Sequence, residues 1–173
     1  TLDDLPGLSG KTIAIGAKGA GTRRLVRTLL GANGIDEKDF KAVEIGGVEA
    51  AEALLTGHVD CAFLFESPEA GVLKALLYSP DAQIVDFTRR ADAYSKRIPA
   101  LHKVVLPEGA NALEANRPER PITLLAAQTQ LLAPADLHPA IQMLLLQAAT
   151  EVHAAEGLFQ TEREFPAQRA FEF

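Results

Sequence analysis

The sequence predicts an α/β fold, a three-layer unit around a mostly parallel sheet, and two observations carry that expectation. Short β-branched apolar runs alternate with longer amphipathic stretches over residues 12–97, the pattern of strand and crossover helix. The first such pair, residues 8–30 (LSGKTIAIGAKGAGTRRLVRTLL), joins its apolar run to its amphipathic run through a glycine-rich turn. A turn of that kind leads a buried strand into a helix packed on the sheet face.

The elements follow in order. Residues 12–16 read as a buried strand, and Thr22 is placed to cap a helix whose apolar stripe is Leu25, Val26, Leu29 and Leu30. KAVEIG, residues 41–46, is the second strand, and the Ala/Leu/Glu-rich stretch 48–55 is a helix that Gly57 ends. Residues 61–65 form a third strand. Pro68 then opens a helix with Val72, Leu73, Leu76 and Leu77 on its apolar face. A short fourth strand over 83–85 leads into a charged helix, 88–97, and 101–106 is a further strand. Residues 107–121 (PEGANALEANRPERP) have the Gly, Asn, Pro and charge content of a surface connector and give the strongest boundary signal. Beyond them, 122–133 is one long apolar strand or two short ones. Residues 139–155 form a helix with Ile141, Leu144, Leu145, Ala148, Ala149 and Val152 on one face, which Met143 and Leu146 widen. A helix that apolar expects cover on more than one side, from a surface outside this chain or from another copy. The tail, REFPAQRAFEF, reads as cut rather than finished.

Composition narrows the function. The 173 residues suffice for one domain or a domain and a half with a sizeable core, and the formal charge of −6 argues against a nucleic-acid partner. No run approaches the roughly 20 apolar residues of a membrane span, and the first residues lack the basic and apolar regions of a signal segment. The single cysteine, Cys61, excludes an internal disulfide and a thiolate zinc site and reads as core. His58, His102, His138 and His153 show no HxxxH or HExxH spacing, so they read as surface or capping residues, and no metal or other cofactor is expected.

Chemistry concentrates in the glycine turn. Gly16, Gly19 and Gly21 let the backbone approach a ligand, and the amide N–H groups and positive dipole end of the following helix point at whatever sits there. The turn fits neither nucleotide fingerprint. A phosphate-binding loop needs a Lys before its final Ser or Thr, whereas Gly21 precedes Thr22; a dinucleotide fold needs GxGxxG, whereas these glycines run GxxGxG. A turn that merely connects is the plain alternative. From physics alone, a ligand carboxylate belongs on the backbone N–H groups of Gly19, Ala20, Gly21 and Thr22, with the Thr22 hydroxyl and the Arg23 guanidinium assisting. Arg24 and Arg27 read as solvated charges on the outer helix face. The other candidates lie at carboxyl ends of strands: Gly46 and Gly47, then Glu66, which would accept from an ammonium group, and Ser67. Tyr94 is a lesser candidate.

Four stretches together resemble a known family: LSGKTIAIGAKGAGTRRLVRTLLGANGI, VEAAEALLTGHVDCAFLFESPEAGVLKALL, HKVVLPEG, and ITLLAAQTQLLAPADLHPAIQMLLLQAATEVHAAEGLF. Their order and spacing are similar to the second part of TAXI-type solute receptors, the substrate-binding subunits of tripartite (TRAP) transporters, in the type II periplasmic binding protein superfamily. The motifs are a strand with a glycine turn ending in Gly-Thr and a helix-to-strand unit formed by Ala53, Leu54, Gly57, Val59, Asp60 and Phe63. Ala20 stands where the family more often has Ser, which removes one hydroxyl donor. The resemblance implies that residues 8–128 form the second lobe of a two-lobed receptor, and that 129–173 is a return segment whose helix packs on a first lobe. It also implies binding without catalysis. The solute is a small anion such as a dicarboxylate or an acidic amino acid like glutamate, the site is periplasmic with a membrane anchor in some relatives, and the partners are membrane permease subunits.

Three other functions share the scaffold. An enzyme needs a nucleophile beside a base, paired carboxylates or metal spacing, none of which the sequence displays. An effector-sensing domain of a regulator needs a helix-turn-helix upstream. A partner-docking module needs only an apolar surface.

Overall fold

The structure is a computed structural model and describes residues 5–67, 69–127, 130–153, 155–162 and 164–165. Pro68, expected to open the third helix, and most of the tail fall outside them. Chain packing gives two compact units, Thr1–Gln128 and Thr129–Phe173.

The first unit is built on a three-stranded parallel sheet in the order β2-β1-β3, with β1 Thr12–Ala14, β2 Lys41–Val43 and β3 Cys61–Ala62. Ile13 stands opposite Ala42 on one side and Cys61 on the other. Helix α1 (Gly21–Ala32) joins β1 to β2, α2 (Gly47–Leu55) joins β2 to β3, and α3 (Gly71–Tyr78) follows β3. The mixed α/β class with a parallel sheet is therefore the one expected.

Strand alternation assigns the layers. Ile13 and Ile15 point to one face, where they pack with Val26, Leu29 and Leu30 of α1 and with Tyr94 and Ile98. Ala14, between them, points to the other face and packs with Ala50 of α2 and with Val59. Each fully covered Ile, Leu or Val contributes about 1.5–3 kcal/mol of burial, so this core fixes the register of β1. The small Ala14–Ala50 contact lets α2 lie close to the sheet.

Beyond α3 come α4 (Ala91–Arg97) and an antiparallel pair, β4 (Leu101–Leu106) and β5 (Ile122–Ala127), in register from Leu101 opposite Ala127 to Leu106 opposite Ile122. Tyr94 of α4 is core rather than site: it is buried, its hydroxyl donates to Asn33 Oδ1 at 2.7 Å, and its ring meets Phe87 edge-on at 5.9 Å. Asn33 in turn donates to the Leu29 carbonyl at 2.8 Å, closing the end of α1.

Besides strands that are shorter than expected, at Thr12–Ala14, Lys41–Val43 and Ile122–Ala127, three expectations change. Residues 107–121 are the connection of a hairpin inside the first unit rather than a boundary: Gly109 N–H donates to the Pro118 carbonyl, and Asn111 N–H to that of Arg117. The expected strand over 83–85 is not one. Asp86 supplies side-chain bonds where a ladder would run: its Oδ1 accepts from the Thr123 amide at 3.1 Å, and only then does Phe87 N–H reach the Thr123 carbonyl. The third strand stops at Ala62, and Phe63 N–H to the Ala14 carbonyl is the last bond across.

In the second unit, α5 (Pro139–His153) begins beside His138, whose Nδ1 accepts from the Ala140 amide at 3.2 Å. This is a capping role, as expected for that histidine. Met143 is 73% exposed, Val152 70% and Leu144 64%, so the apolar face of this helix is largely uncovered. No helix among the described residues is long and apolar enough to cross a membrane.

Candidate functional site

The order β2-β1-β3 means that the connections run to opposite sides of β1, and open parallel sheets take ligands at the carboxyl ends of strands flanking such a point. The loop after β1 begins with Ile15 N–H on the Val43 carbonyl and Gly16 N–H on the Ile45 carbonyl, so the sheet's bonding continues to the brink of the turn. Gly16 then takes φ +96°, and a turn closes from the Ala20 amide to the Ala17 carbonyl with Gly19 at φ +82°. At Gly16 a methyl would fall 3.0 Å from the Arg23 amide nitrogen and from Thr22 Cβ. Only hydrogen fits between the strand end and the first turn of α1.

Helix α1 starts two residues earlier than the sequence suggests. Its N-cap is Ala20, extended at φ −73° and ψ 147°, with no side-chain bond to the first turn. Thr22 therefore is not the cap; it lies inside the helix and packs on Gly16. The helices after β2 and β3 open on Gly46 and Ala70, again with no side-chain cap. Before β2 the chain does otherwise: Asp36 and Asp39 form a reciprocal capping box on the short Glu37–Asp39 helix. Ala20→Ser supplies the missing acceptor at α1 and is expected to raise stability by about 0.5–1 kcal/mol, read from thermal unfolding.

The three carboxyl-end loops meet in part. A methyl on Gly46 would sit 3.5 Å from the Ala17 amide nitrogen and 3.6 Å from Gly16 Cα, so the β1 and β2 loops are in backbone contact. At Gly47, φ +56°, a methyl would lie 3.7 Å from Glu66 Oε1. Gly16, Ala17, Gly46, Gly47 and Glu66 thus share one locality, while Gly19 and Gly21 stand open, and a methyl on either would meet nothing within 4 Å. Ser67 is engaged locally, its hydroxyl accepting from the Glu69 amide at 3.3 Å at the entry to α3.

Arg23 is held. Its Nη2 pairs with Glu44, just past β2, while its Nε is buried without a hydrogen-bond partner. Glu44 was not legible as a site residue; the only signal was a charged residue two positions before Gly46 in KAVEIG. Of the outer arginines, Arg27 pairs with Glu37 and Arg24 is exposed.

Cys61 is half-buried on β3, and burial pushes its thiol up to about 11, so it is protonated at neutral pH and no nucleophile. Among the described residues no three His, Cys, Asp or Glu side chains gather as a metal site. Asp60, at the opposite end of the sheet, accepts from the Thr12 amide at 2.8 Å and pairs with Lys11. The aspartate of the helix-to-strand motif therefore ties strand starts together and is remote from the glycine turn.

A family model described as the NMT1-like family matches residues 1–151, most of the chain and all the elements that frame this site. The chain belongs to the NMT1-like family. Families of this kind are periplasmic-binding-protein-like, in keeping with the type II superfamily and with a solute-binding protein that takes a small molecule. The comparison with curated proteins gave no match.

Proposed function

We propose that this chain is the second lobe and return segment of the substrate-binding subunit of a TRAP-type transporter of the TAXI kind. It captures a small anionic solute, a dicarboxylate or an acidic amino acid, between two lobes in the periplasm and presents it to membrane permease subunits. It binds and performs no catalysis.

The observation that supports this most is the β1–α1 turn: a glycine loop at the end of the central strand, followed by a helix whose first turn no side chain caps. Backbone N–H groups and the helix dipole there favour an anion. Glu66, beside Gly47, supplies an acceptor suited to an ammonium group on the same solute. The exposed apolar face of α5 agrees with a return segment that packs on a first lobe.

The test is an amide-resolved NMR titration of the 173-residue chain with dicarboxylates, acidic amino acids and phosphate. Saturable shifts centred on Gly19 to Arg23 are expected, with affinity near the millimolar range, about 4 kcal/mol, because one lobe supplies only part of the contacts. No shift there with any of these anions, or turnover of any of them, overturns the reading.

A further inference from the structure

We propose that Glu44 is an internal anion that holds Arg23 and competes with the solute carboxylate for it. The inference rests on the anion site at the β1–α1 turn.

Arg23 is the third residue of α1, and Glu44 lies two residues before Gly46, so their ion pair joins the same two loops whose backbones touch at Gly16 and Gly46. A guanidinium offers Nε and Nη2 side by side, the spacing that a carboxylate matches with both its oxygens. Glu44 meets Nη2, and Nε, buried, has no partner. The side-on fork is thus half used. A buried donor without an acceptor is costly and rare, which marks this half as a place for an acceptor from outside.

Exposure says which partner yields. The Arg23 side chain is 17% exposed and that of Glu44 is 43% exposed. Glu44 can turn to solvent at small cost, because a half-exposed ion pair is worth little. Arg23, packed along the first turn, stays. A solute carboxylate arriving at the turn then takes Nε and Nη2 together while Glu44 swings out. Until it does, the Glu44 charge neutralises the arginine and repels the incoming anion, so the affinity of the turn is set by an exchange of one carboxylate for another.

The experiment compares the wild-type chain, Glu44→Gln, Arg23→Gln and the double variant by NMR titration with succinate at constant ionic strength, reading the amides of Gly19 to Arg23. Glu44→Gln keeps the shape and removes the charge, and is expected to tighten succinate about fivefold. Arg23→Gln is expected to weaken it, and adding Glu44→Gln in that background to change nothing further. Should Arg23→Gln fail to fold, Arg23→Met takes its place, since methionine keeps an apolar stem to pack and removes the charge. Unchanged or weaker binding by Glu44→Gln overturns the proposal while leaving the anion site intact. Equal tightening with and without Arg23 also overturns it, because the effect is then bare repulsion. Absence of shifts in all the proteins overturns both the proposal and the site.

Discussion

Replacing Gly16 by alanine is expected to destabilise the chain by about 3 kcal/mol, seen as a fall of about 1.5 M in the urea midpoint. Two costs add. At φ +96° an L-residue occupies a region that only glycine visits freely, worth about 1–3 kcal/mol. The new methyl would also meet the Arg23 amide nitrogen and Thr22 Cβ at 3.0 Å, and neither can retreat without shifting the first turn of α1 against Ile13 and Ile15. The contrast is Gly31, late in the same helix, where a methyl meets nothing within 4 Å. Gly31→Ala is expected to stabilise by about 0.5–1 kcal/mol. If the two substitutions shift the midpoint alike, the strand-to-helix turn is not the constrained point described.

The second large effect belongs to Asp86. Its Oδ1 accepts from the Thr88 hydroxyl at 2.7 Å, the Thr88 amide at 3.0 Å and the Thr123 amide at 3.1 Å, and its Oδ2 pairs with Arg120. Burial by itself would raise its pKa. The Thr88 hydroxyl, Arg120 and the two amides outweigh burial and hold the carboxyl at about 2, below its ordinary 3.8. A carboxyl depressed on folding stabilises fully above its unfolded pKa, and that contribution is lost as pH falls through the folded one. Stability is therefore expected to decline between about pH 4 and pH 2 by about 1–2 kcal/mol, after allowance for solvent screening. Asp86→Asn is expected to flatten that part of the curve. Asp86→Ala is expected to cost about 2–3 kcal/mol at neutral pH, since it strands the amide of the buried Thr123. Urea unfolding of the three proteins from pH 2 to 7 checks both, and an unaltered pH slope in Asp86→Asn would remove this residue from the account.

Much of the fold was legible because it is local. The apolar run 12–16, the glycines after it and the stripe of Val26, Leu29 and Leu30 each act through neighbours in sequence, and they yield strand, turn and helix nearly where expected. The features that escaped depend on partners far along the chain. Residues 63–65 are as apolar as 61–62, yet they leave the ladder just as β1, some 50 residues earlier, nears its turn at Gly16. Nothing near residues 83–85 announces that a side chain at Asp86 will take bonds that a strand would have made with Thr123. The hairpin over 107–121 looks like a linker because its Gly, Pro and Asn shape a turn as readily as they separate domains. At the site, the glycines were legible as backbone devices, whereas the Arg23–Glu44 pair needed the β1 and β2 loops to be brought together first.

The bare openings of α1, α2 and α3 at Ala20, Gly46 and Ala70, against the full capping box of Asp36 and Asp39, bear on how the molecule breathes. Opening free energy is not spread evenly over a native state, and helix ends without caps fray at the low end of the scale. These three ends follow the carboxyl termini of the parallel strands, so the proposed site is expected to fluctuate more than the core about Ile13 and Leu30. On the proposed function, an anion lodged on those amides would play the part of the missing cap. Its binding is then expected to quiet the frayed turns and to raise the melting temperature by mass action, so that filling of the site would be recorded in the dynamics of the backbone itself.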